Sequence, residues 1–239
     1  MPPRPPKTPP RQLELRPRTW GGRREGAGRP RTGRTRVAHT RRPRITRHTP
    51  VHVTLRLRPD LPNLRRGKLF HRVRSVLRTV AQLADFRVCH FSVQGNHVHL
   101  LCEAESAPAL AQGVHRFATR LAWCIADVVG HRRPIFAERY HARILASPRE
   151  TRNALRYVLL NGRRHARGPL AADWFDPCSS AAWFDGWKEE LPWREPWMRE
   201  LQREESPVAQ AKSWLLREGW RKRGLLSLRE IPGEPPPLT

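Results

Sequence analysis

Apolar residues in the middle of the chain recur with two alternating periods, and this feature constrains the fold more than any other. A period of two is typical of a half-buried strand, and a period of three to four is typical of an amphipathic helix. Period-two segments cover 51–57, 86–93, 97–103 and 135–145, and helical segments cover 69–83, 110–128 and 148–161. The predicted order is β-α-β-β-α-β-α, an α+β fold of about four antiparallel strands with packed helices.

The third predicted helix has the clearest start. Ser147 is the N-cap, Pro148 occupies the first helical position, and Glu150 completes a capping box. Gly162 is typical of a helix end.

The sequence predicts three regions, of which the first is a basic arm over residues 1–48. Residues 1–50 contain 15 Lys and Arg, two acids and ten prolines, with almost no apolar periodicity. Such a segment cannot bury enough surface to offset its chain entropy, so we expect it to be disordered when free. The α+β domain is predicted over 49–170, and a Trp-rich extension over 171–239.

Part of the arm, Trp20–Arg31, reads W-G-G-R-R-E-G-A-G-R-P-R and is similar to an AT-hook. In such a motif Gly-Arg-Pro keeps the backbone extended while arginines enter a narrow A·T minor groove. This interpretation predicts DNA contacts for Arg23, Arg24, Arg29 and Arg31. A solvated basic tail that binds without specificity is an equally good interpretation.

The charge of the chain predicts a polyanionic partner. The formal net charge is +25, from 46 Lys and Arg against 21 Asp and Glu. Basic side chains release counterions when they bind phosphates, so a polyanion such as a nucleic acid is the expected partner. An anionic membrane surface and ribosomal RNA are the competing partners. We expect no membrane span, because no stretch approaches the roughly 18 apolar residues that one needs.

The cysteines indicate a reduced, cytoplasmic protein, and a DNA partner would make it nucleoid-associated. Cys89, Cys102 and Cys124 lie within apolar patterns and are expected to be small core residues. The absence of a C-x-x-C pair argues against a zinc knuckle or a redox motif.

The extension is predicted to wrap around the core. A helix is expected to begin at Ser206-Pro207 and to contain Trp214. The tryptophans have two interpretations, base stacking and packing, of which packing is the more common. They are Trp174, Trp183, Trp187, Trp193, Trp197, Trp214 and Trp220.

The strongest local signal for chemistry is Asn96-His97-Val98-His99. Alternate residues of a strand share a face, so His97 and His99 point the same way while Val98 points into the core. Two adjacent imidazoles suit a divalent cation. An H-x-H pair alone is weak evidence in a chain with 11 histidines, but this pair follows a tight turn and lies in the predicted sheet.

The second signal is a polar stripe on the third helix. Asn153, Tyr157 and Asn161 are spaced four residues apart. One interpretation is a tyrosine at the edge of the core with a solvated hydroxyl. The other makes Tyr157 a nucleophile and Asn161 a neutral oxygen ligand of the same metal. Tyr140, the other tyrosine of the chain, is the alternative nucleophile.

Four segments together resemble the single-tyrosine transposases of the HUH endonuclease superfamily, and in particular the REP-associated tyrosine transposases. The segments are V-H-V-T-L-R-L, F-S-V-Q-G-N-H-V-H-L-L, I-F-A-E-R-Y-H-A-R-I-L and R-N-A-L-R-Y-V-L-L-N, within residues 49–170. The resemblance implies a ferredoxin- or RRM-like core with Mg²⁺ or Mn²⁺ on His97, His99 and Asn161. It also implies that Tyr157 attacks a phosphodiester of single-stranded or hairpin DNA to give a 5′-phosphotyrosine and a free 3′-hydroxyl, which permits rejoining.

The sequence leaves two alternatives to this enzyme open. His52-Val53-Thr54 and His97-Val98-His99 are similar to the paired H-x-T motifs of two-histidine phosphoesterases, which use no metal. A domesticated DNA- or RNA-binding descendant without catalysis would need only the charge and the arm. A monomer and a homodimer are both compatible with the sequence, as are active sites built from one chain or two.

Overall fold

The structure is a computed structural model that describes residues 45–130, 134–166 and 168–233. Four strands form one antiparallel sheet in the order β2-β3-β1-β4. They are β1 (Val51–Arg56), β2 (Phe86–Val93), β3 (His97–Ala104) and β4 (His141–Ile144). The predicted α+β class, an antiparallel sheet with packed helices, is confirmed. Residues 1–44 of the predicted basic arm, which include the four arginines predicted to contact DNA, lie outside the described residues.

Two helices cover one face of the sheet. They are α1 (Gly67–Val80) and α2 (Ala107–Val129), which pack on each other and on the inward side chains of β1. Val51 and Val53 of β1, together with Phe117 and Leu121 of α2, are fully buried in this core. The alternation along β1 produces this face, because every second side chain points towards the helices.

The opposite face is covered by α3 and the C-terminal extension. The helices of this part of the chain are α3 (Pro148–Leu159), α4 (Asn161–Arg164), α5 (Pro196–Arg203) and α6 (Trp214–Arg217), with 3₁₀ turns at Ser180–Trp183 and Gly219–Arg223. Leu155 and Val158 of α3 pack with Leu101 of β3 and with Trp187 and Trp220 of the extension. The extension therefore packs against the helix that carries Tyr157.

Most tryptophans of the extension pack rather than stand free. Trp220 is fully buried, and its indole N–H donates to the carbonyl of Leu216. Trp187 is also buried and donates to the carbonyl of Ala181. Trp214 is the exception in this group, since 48% of its surface is exposed.

The fourth strand is shorter than predicted. Regular pairing with β1 covers only His141–Ile144, and the predicted start of the strand contributes a single bridge between Phe136 and Leu57. The reason is a shift of register, because the four residues 137–140 lie opposite only two residues of β1, Leu55 and Arg56, and interrupt the ladder.

The start of α3 agrees with the sequence, but Gly162 does not end the helical segment. The Ser147 hydroxyl accepts a hydrogen bond from the backbone N–H of Glu150, and the Glu150 carboxylate accepts one from Ala146. The helix breaks at Leu160 and resumes as α4, which contains Gly162. A Cβ atom at Gly162 would lie 2.3 Å from the Asp176 carboxylate, so glycine permits a close approach here.

The prediction of a helix that begins at Ser206-Pro207 is wrong. Ser206 instead bonds locally with Val208, and the helix begins at Trp214, where the Ser213 hydroxyl caps it. The sequence analysis also missed α5, because its eight residues carry only two buried apolar side chains, Met198 and Leu201.

The cysteines match in part the expectation that they are small core residues. All four cysteines are free thiols, and Cys89, Cys102 and Cys178 are buried, whereas Cys124 is half-buried. Within the described ranges, no helix is both long and apolar enough to cross a membrane.

Candidate metal and phosphodiester site

The register of the sheet places two polar pairs and a further histidine on the face opposite α1 and α2. Thr54 lies directly opposite His99 and Arg56 opposite His97, while His52 precedes them on the same side of β1. These side chains line an open cavity of about 720 Å³ between the sheet and α3. The strand period of two thus brings both predicted histidine ligands into one cavity.

His99 occupies the floor of this cavity and is almost entirely buried. Its Nδ1 lies 3.1 Å from the Thr54 hydroxyl and 3.2 Å from His52 Nε2. Its Nε2 is buried and has no hydrogen-bond partner among the described residues. With the ring proton on Nδ1, His99 presents a free Nε2 lone pair to the cavity, which is the arrangement that a metal-ligating histidine adopts.

His97 has a similar arrangement at the mouth of the cavity. Its Nδ1 lies 3.0 Å from the amide oxygen of Asn96, and its ring centroid lies 4.8 Å from that of His99. If Nδ1 donates its proton to this oxygen, the free lone pair of the ring is on Nε2.

The environment keeps both imidazoles neutral near pH 7. Desolvation together with the neighbouring His165 and Arg56 lowers the pKa of His97 to about 4. Desolvation together with His52, His97 and His165 lowers the pKa of His99 to about 2. Neutral imidazoles are the form that binds a metal ion, because the lone pair is then free.

Tyr157 of α3 faces the two strands that carry the histidines. Its ring centroid lies 5.1 Å from the ring of His99 and 5.8 Å from the ring of His52. The side chain is half-buried and lines the cavity. The structure therefore brings the predicted nucleophile and the predicted histidine pair together.

Two ion pairs, one buried at the start of the tyrosine helix and one partly buried beside α4, connect the α3–α4 segment to the rest of the protein. At its start, Arg152 donates to the Glu230 carboxylate at 2.7 and 3.2 Å and to two backbone carbonyls of the extension. At its far end, Asp176 packs on Gly162 and receives two hydrogen bonds from Arg65. These contacts fix the position of Tyr157 relative to the sheet.

Asn161 is placed differently from the two other residues of the predicted polar stripe. Asn153 and Tyr157 line the cavity, whereas Asn161 is fully buried. Both polar atoms of its side chain lack hydrogen-bond partners among the described residues. A buried amide without partners costs about 1–3 kcal/mol, so this residue is another position where a ligand would be stabilising.

Sequence reasoning missed His165, which lies beside the site. Its ring centroid is 6.5 Å from that of His97. The signal was present, because His165 continues the four-residue spacing of Asn153, Tyr157 and Asn161. The break at Leu160 did not remove it from this side of the helix.

The rim of the cavity is predominantly basic. Arginines line it from three elements, and two acids, Glu138 and Glu150, lie among them. Arg143 forms an ion pair with Glu150 at 3.1 Å. The arginines are Arg56, Arg139, Arg143 and Arg156.

The alternative nucleophile, Tyr140, occupies a different environment. It is partly buried against the core beneath α1 and α2 and is not among the residues that line the cavity. Of the two tyrosines, only Tyr157 has its ring beside the histidines.

The donor set fits a divalent metal that accepts nitrogen and neutral oxygen ligands. The free Nε2 of His99 and the unpartnered amide of Asn161 are buried polar atoms of the kind that a metal would satisfy. The described part of the chain contains no group of three or more His, Cys, Asp and Glu side chains arranged to hold a metal ion. The predicted set of two histidines and an amide is of a different kind, with no charged ligand, and Asn161 is not among the residues that line the cavity of His97 and His99.

Comparisons with known proteins give distant structural similarity alone. No protein-family model matches the chain, and no curated protein matches it. Among solved structures, the chain is similar to that of a REP-associated tyrosine transposase bound to a REP hairpin. The identity is 16% and the TM-score 0.48, over 60% of this chain and 82% of that chain. A likeness this distant assigns no activity to this protein.

Proposed function

We propose that the protein nicks and rejoins single-stranded DNA through a covalent link to Tyr157, as a transposase of the single-tyrosine kind does. The observation that carries the proposal is the position of the Tyr157 ring, 5.1 Å from His99. The same imidazole presents a buried Nε2 without a partner in the described residues. A phenol beside a vacant imidazole lone pair is suited to attack on a phosphate bound at that point.

His97, His99 and Asn161 are the residues that would hold Mg²⁺ or Mn²⁺. Such an ion, when bound, polarises the scissile phosphate and offsets its negative charge. The Nδ1 contacts of the two histidines with Asn96 and Thr54 orient the rings and are compatible with a proton on each Nδ1.

The covalent step exchanges one phosphate ester for another. The Tyr157 oxygen forms a bond to phosphorus, and the bond between phosphorus and the 3′ oxygen breaks. The phenolic proton passes to solvent, and the departing 3′ oxygen takes up a proton. Because the phosphotyrosine retains the energy of the ester bond, attack by a 3′-hydroxyl reverses the step and rejoins the strand.

The basic rim of the cavity supports the choice of a nucleic-acid substrate. Arg56 and Arg143 project from neighbouring strands on the side of the sheet that carries the histidines. Guanidinium groups bind phosphate oxygens through paired hydrogen bonds. These side chains would hold the phosphates that flank the reacting one.

The proposal is tested by covalent capture. Purified protein is mixed with a panel of labelled single-stranded and hairpin oligonucleotides and Mn²⁺, and adducts that survive denaturant are resolved on a gel. We expect an adduct that disappears with EDTA and falls at least about a thousandfold in Tyr157→Phe, because the nucleophile is lost. Tyr140→Phe is the matched control and should retain the adduct. Loss of the adduct in Tyr140→Phe alone would contradict the assignment.

A second enzymatic candidate, a two-histidine phosphoesterase, is favoured by one observation. His52 and Thr54 of the first H-x-T motif lie in the same cavity as the second motif, and both contact His99. That enzyme would need neither metal nor Tyr157. Hydrolysis of a small phosphodiester that persists in EDTA and in Tyr157→Phe, but is lost in His52→Ala, would establish it.

A nucleic-acid-binding descendant without catalysis is the remaining alternative. The net charge of +25 would support such a role without the cavity. Unchanged function of a His97→Ala protein in the cell would favour it over both enzymes.

A further inference from the structure

A second cavity adjoins the candidate site. It has a volume of about 680 Å³, and Asn96 and His97 line it as well as the first cavity. One of the proposed metal ligands therefore lies at the junction of two cavities. A strand with its reacting phosphate at this junction would extend from one cavity into the other.

The linings of the two cavities differ in charge. Four arginines line the first cavity, as described above. The second contains one arginine, Arg65, and its guanidinium is neutralised by two hydrogen bonds to the buried carboxylate of Asp176. The second cavity instead offers three side-chain amides and an indole, from Asn63, Gln94, Asn96 and Trp174.

The amides are oriented by the protein and retain bonding capacity. The Asn63 side-chain oxygen accepts from the backbone N–H of Arg65 at 2.9 Å, which leaves its NH₂ group available. The Gln94 side-chain nitrogen donates to the Ser92 hydroxyl at 2.8 Å, which leaves its oxygen available. One donor and one acceptor match the edge of a nucleobase, which presents both kinds of group.

Trp174 is held in place beside these amides. The Arg163 guanidinium lies over its ring, 5.9 Å from the centroid, and donates to the Trp174 carbonyl at 2.9 Å. The same guanidinium also donates to the carbonyls of Ala171 and Ala172. A half-buried, anchored indole is a suitable platform for an unpaired base, since stacking needs no particular sequence.

We propose that the second cavity binds one unpaired nucleobase of a strand whose phosphates occupy the first cavity. This inference rests on the proposed function, because it uses the same substrate and the same junction at His97. It adds the base-binding residues, with Trp174 stacking on the base and Asn63 and Gln94 bonding to its edge.

The first test separates base binding from phosphate binding. Tyr157→Phe protein, which lacks the nucleophile, is titrated with oligo(dT) and with an abasic deoxyribose-phosphate oligomer of the same length. Trp174→Ala in this background should weaken oligo(dT) binding about fivefold or more and leave abasic binding unchanged. Arg143→Ala, from the first cavity, should weaken both probes equally.

The outcomes of this titration are decisive in either direction. Equal weakening of both probes by Trp174→Ala, no effect on either, or no binding of oligo(dT) at all would each overturn the proposal. Asn63→Ala, an exposed position, provides a second variant with a smaller loss expected on oligo(dT) alone. The titration does not require catalysis. A wild-type protein that forms no adduct would therefore contradict the proposed function and leave the test of base binding unaffected.

A photochemical test locates the base directly. Oligo(dT) with a single 5-iodouracil is irradiated in complex with the protein, and the cross-linked peptide is sequenced by mass spectrometry. The expected peptide contains Trp174. Cross-linking confined to Trp123, which is 65% exposed on α2 beneath the other face of the sheet, would place the bases elsewhere and refute the proposal.

Discussion

The two faces of the central sheet are both covered, but among the described strands only the α3 face has a buried polar side-chain atom without a hydrogen-bond partner. On the α1–α2 face, Val51, Val53 and Phe117 are fully buried and need no partner beyond one another. On the α3 face, His99 is nearly as buried, and yet its Nε2 has no partner within the described residues. Apolar surface is stabilised by burial alone, whereas a buried polar atom needs a specific partner.

Apolar side chains are buried on both faces and stabilise the fold from both sides. The α3 face has in addition an arginine-lined cavity and the buried Nε2 of His99, which has no partner among the described residues. The unpartnered buried atoms destabilise the folded state, and packing elsewhere offsets this loss, as is common at functional sites.

The largest effect on stability is expected from the apolar face. Phe117→Ala removes a fully buried aromatic ring and should lower the free energy of unfolding by about 3–5 kcal/mol. Trp123→Ala, on the same helix but 65% exposed, is the matched control and should change it by less than about 0.5 kcal/mol. Urea denaturation measures both. Similar losses in the two variants would remove the distinction between core and surface on α2.

A smaller loss is expected at the start of the tyrosine helix. Arg152→Ala leaves the buried Glu230 carboxylate with the Arg156 guanidinium, 3.7 Å away, and the backbone N–H of Ser227, and should cost about 3 kcal/mol. Arg143→Ala removes an exposed ion pair and should cost no more than about 1 kcal/mol. Thermal unfolding compares the two proteins, and an equal loss in both would show that the buried pair does not anchor α3.

Metal should stabilise the α3 face specifically. At a Mn²⁺ concentration a hundredfold above Kd, the folded state gains about 2.7 kcal/mol, which appears as a rise in Tm. The rise should be present in Tyr157→Phe and absent in His99→Ala, because only the second variant loses a proposed ligand. A rise that survives in His99→Ala would place the metal elsewhere.

The smallest effect concerns pH and His90, which packs between Phe184 and Ser180. Desolvation lowers the pKa of His90 to about 4, against opposing contributions from Asp185 and Glu103. The unfolded chain therefore takes up this proton first, and stability is lost as pH falls from about 6.5 to about 4. Because the ring is half-buried, we expect only about 1 kcal/mol.

This pH dependence is measured as the difference in unfolding free energy between pH 7 and pH 4. His90→Gln should reduce that difference, while His115→Gln, on the exposed side of α2, should not. An undiminished difference in His90→Gln would contradict the assignment.

The apolar face could be predicted almost completely from the sequence, and the α3 face only in part. Periodicity located β1, β2, β3 and α1 to α3, because burial of alternate or every third to fourth residue follows directly from backbone geometry. The same periodicity put His97 and His99 on one side of a strand. Their roles, like those of Tyr157 and Asn161, remain predictions.

What the sequence did not provide were contacts between distant segments. The approach of Asp176 to Gly162 joins the extension to α4, and no local pattern encodes it. The contacts of His99 with His52 and Thr54 depend on the register of β1 against β3. The helix predicted at Ser206-Pro207 is absent for a related reason. The two residues favour a helix start locally, but Ser206 forms a turn with Val208 instead.

The central claim is that one phenol, beside one histidine pair, becomes bonded to DNA. It is tested most directly by isolating the adduct formed with Mn²⁺, trimming the DNA with nucleases and sequencing the modified peptide by mass spectrometry. The account predicts a nucleotide attached through phosphate to Tyr157. Attachment to any other residue, or strong DNA binding with no attachment across the whole oligonucleotide panel, would contradict it.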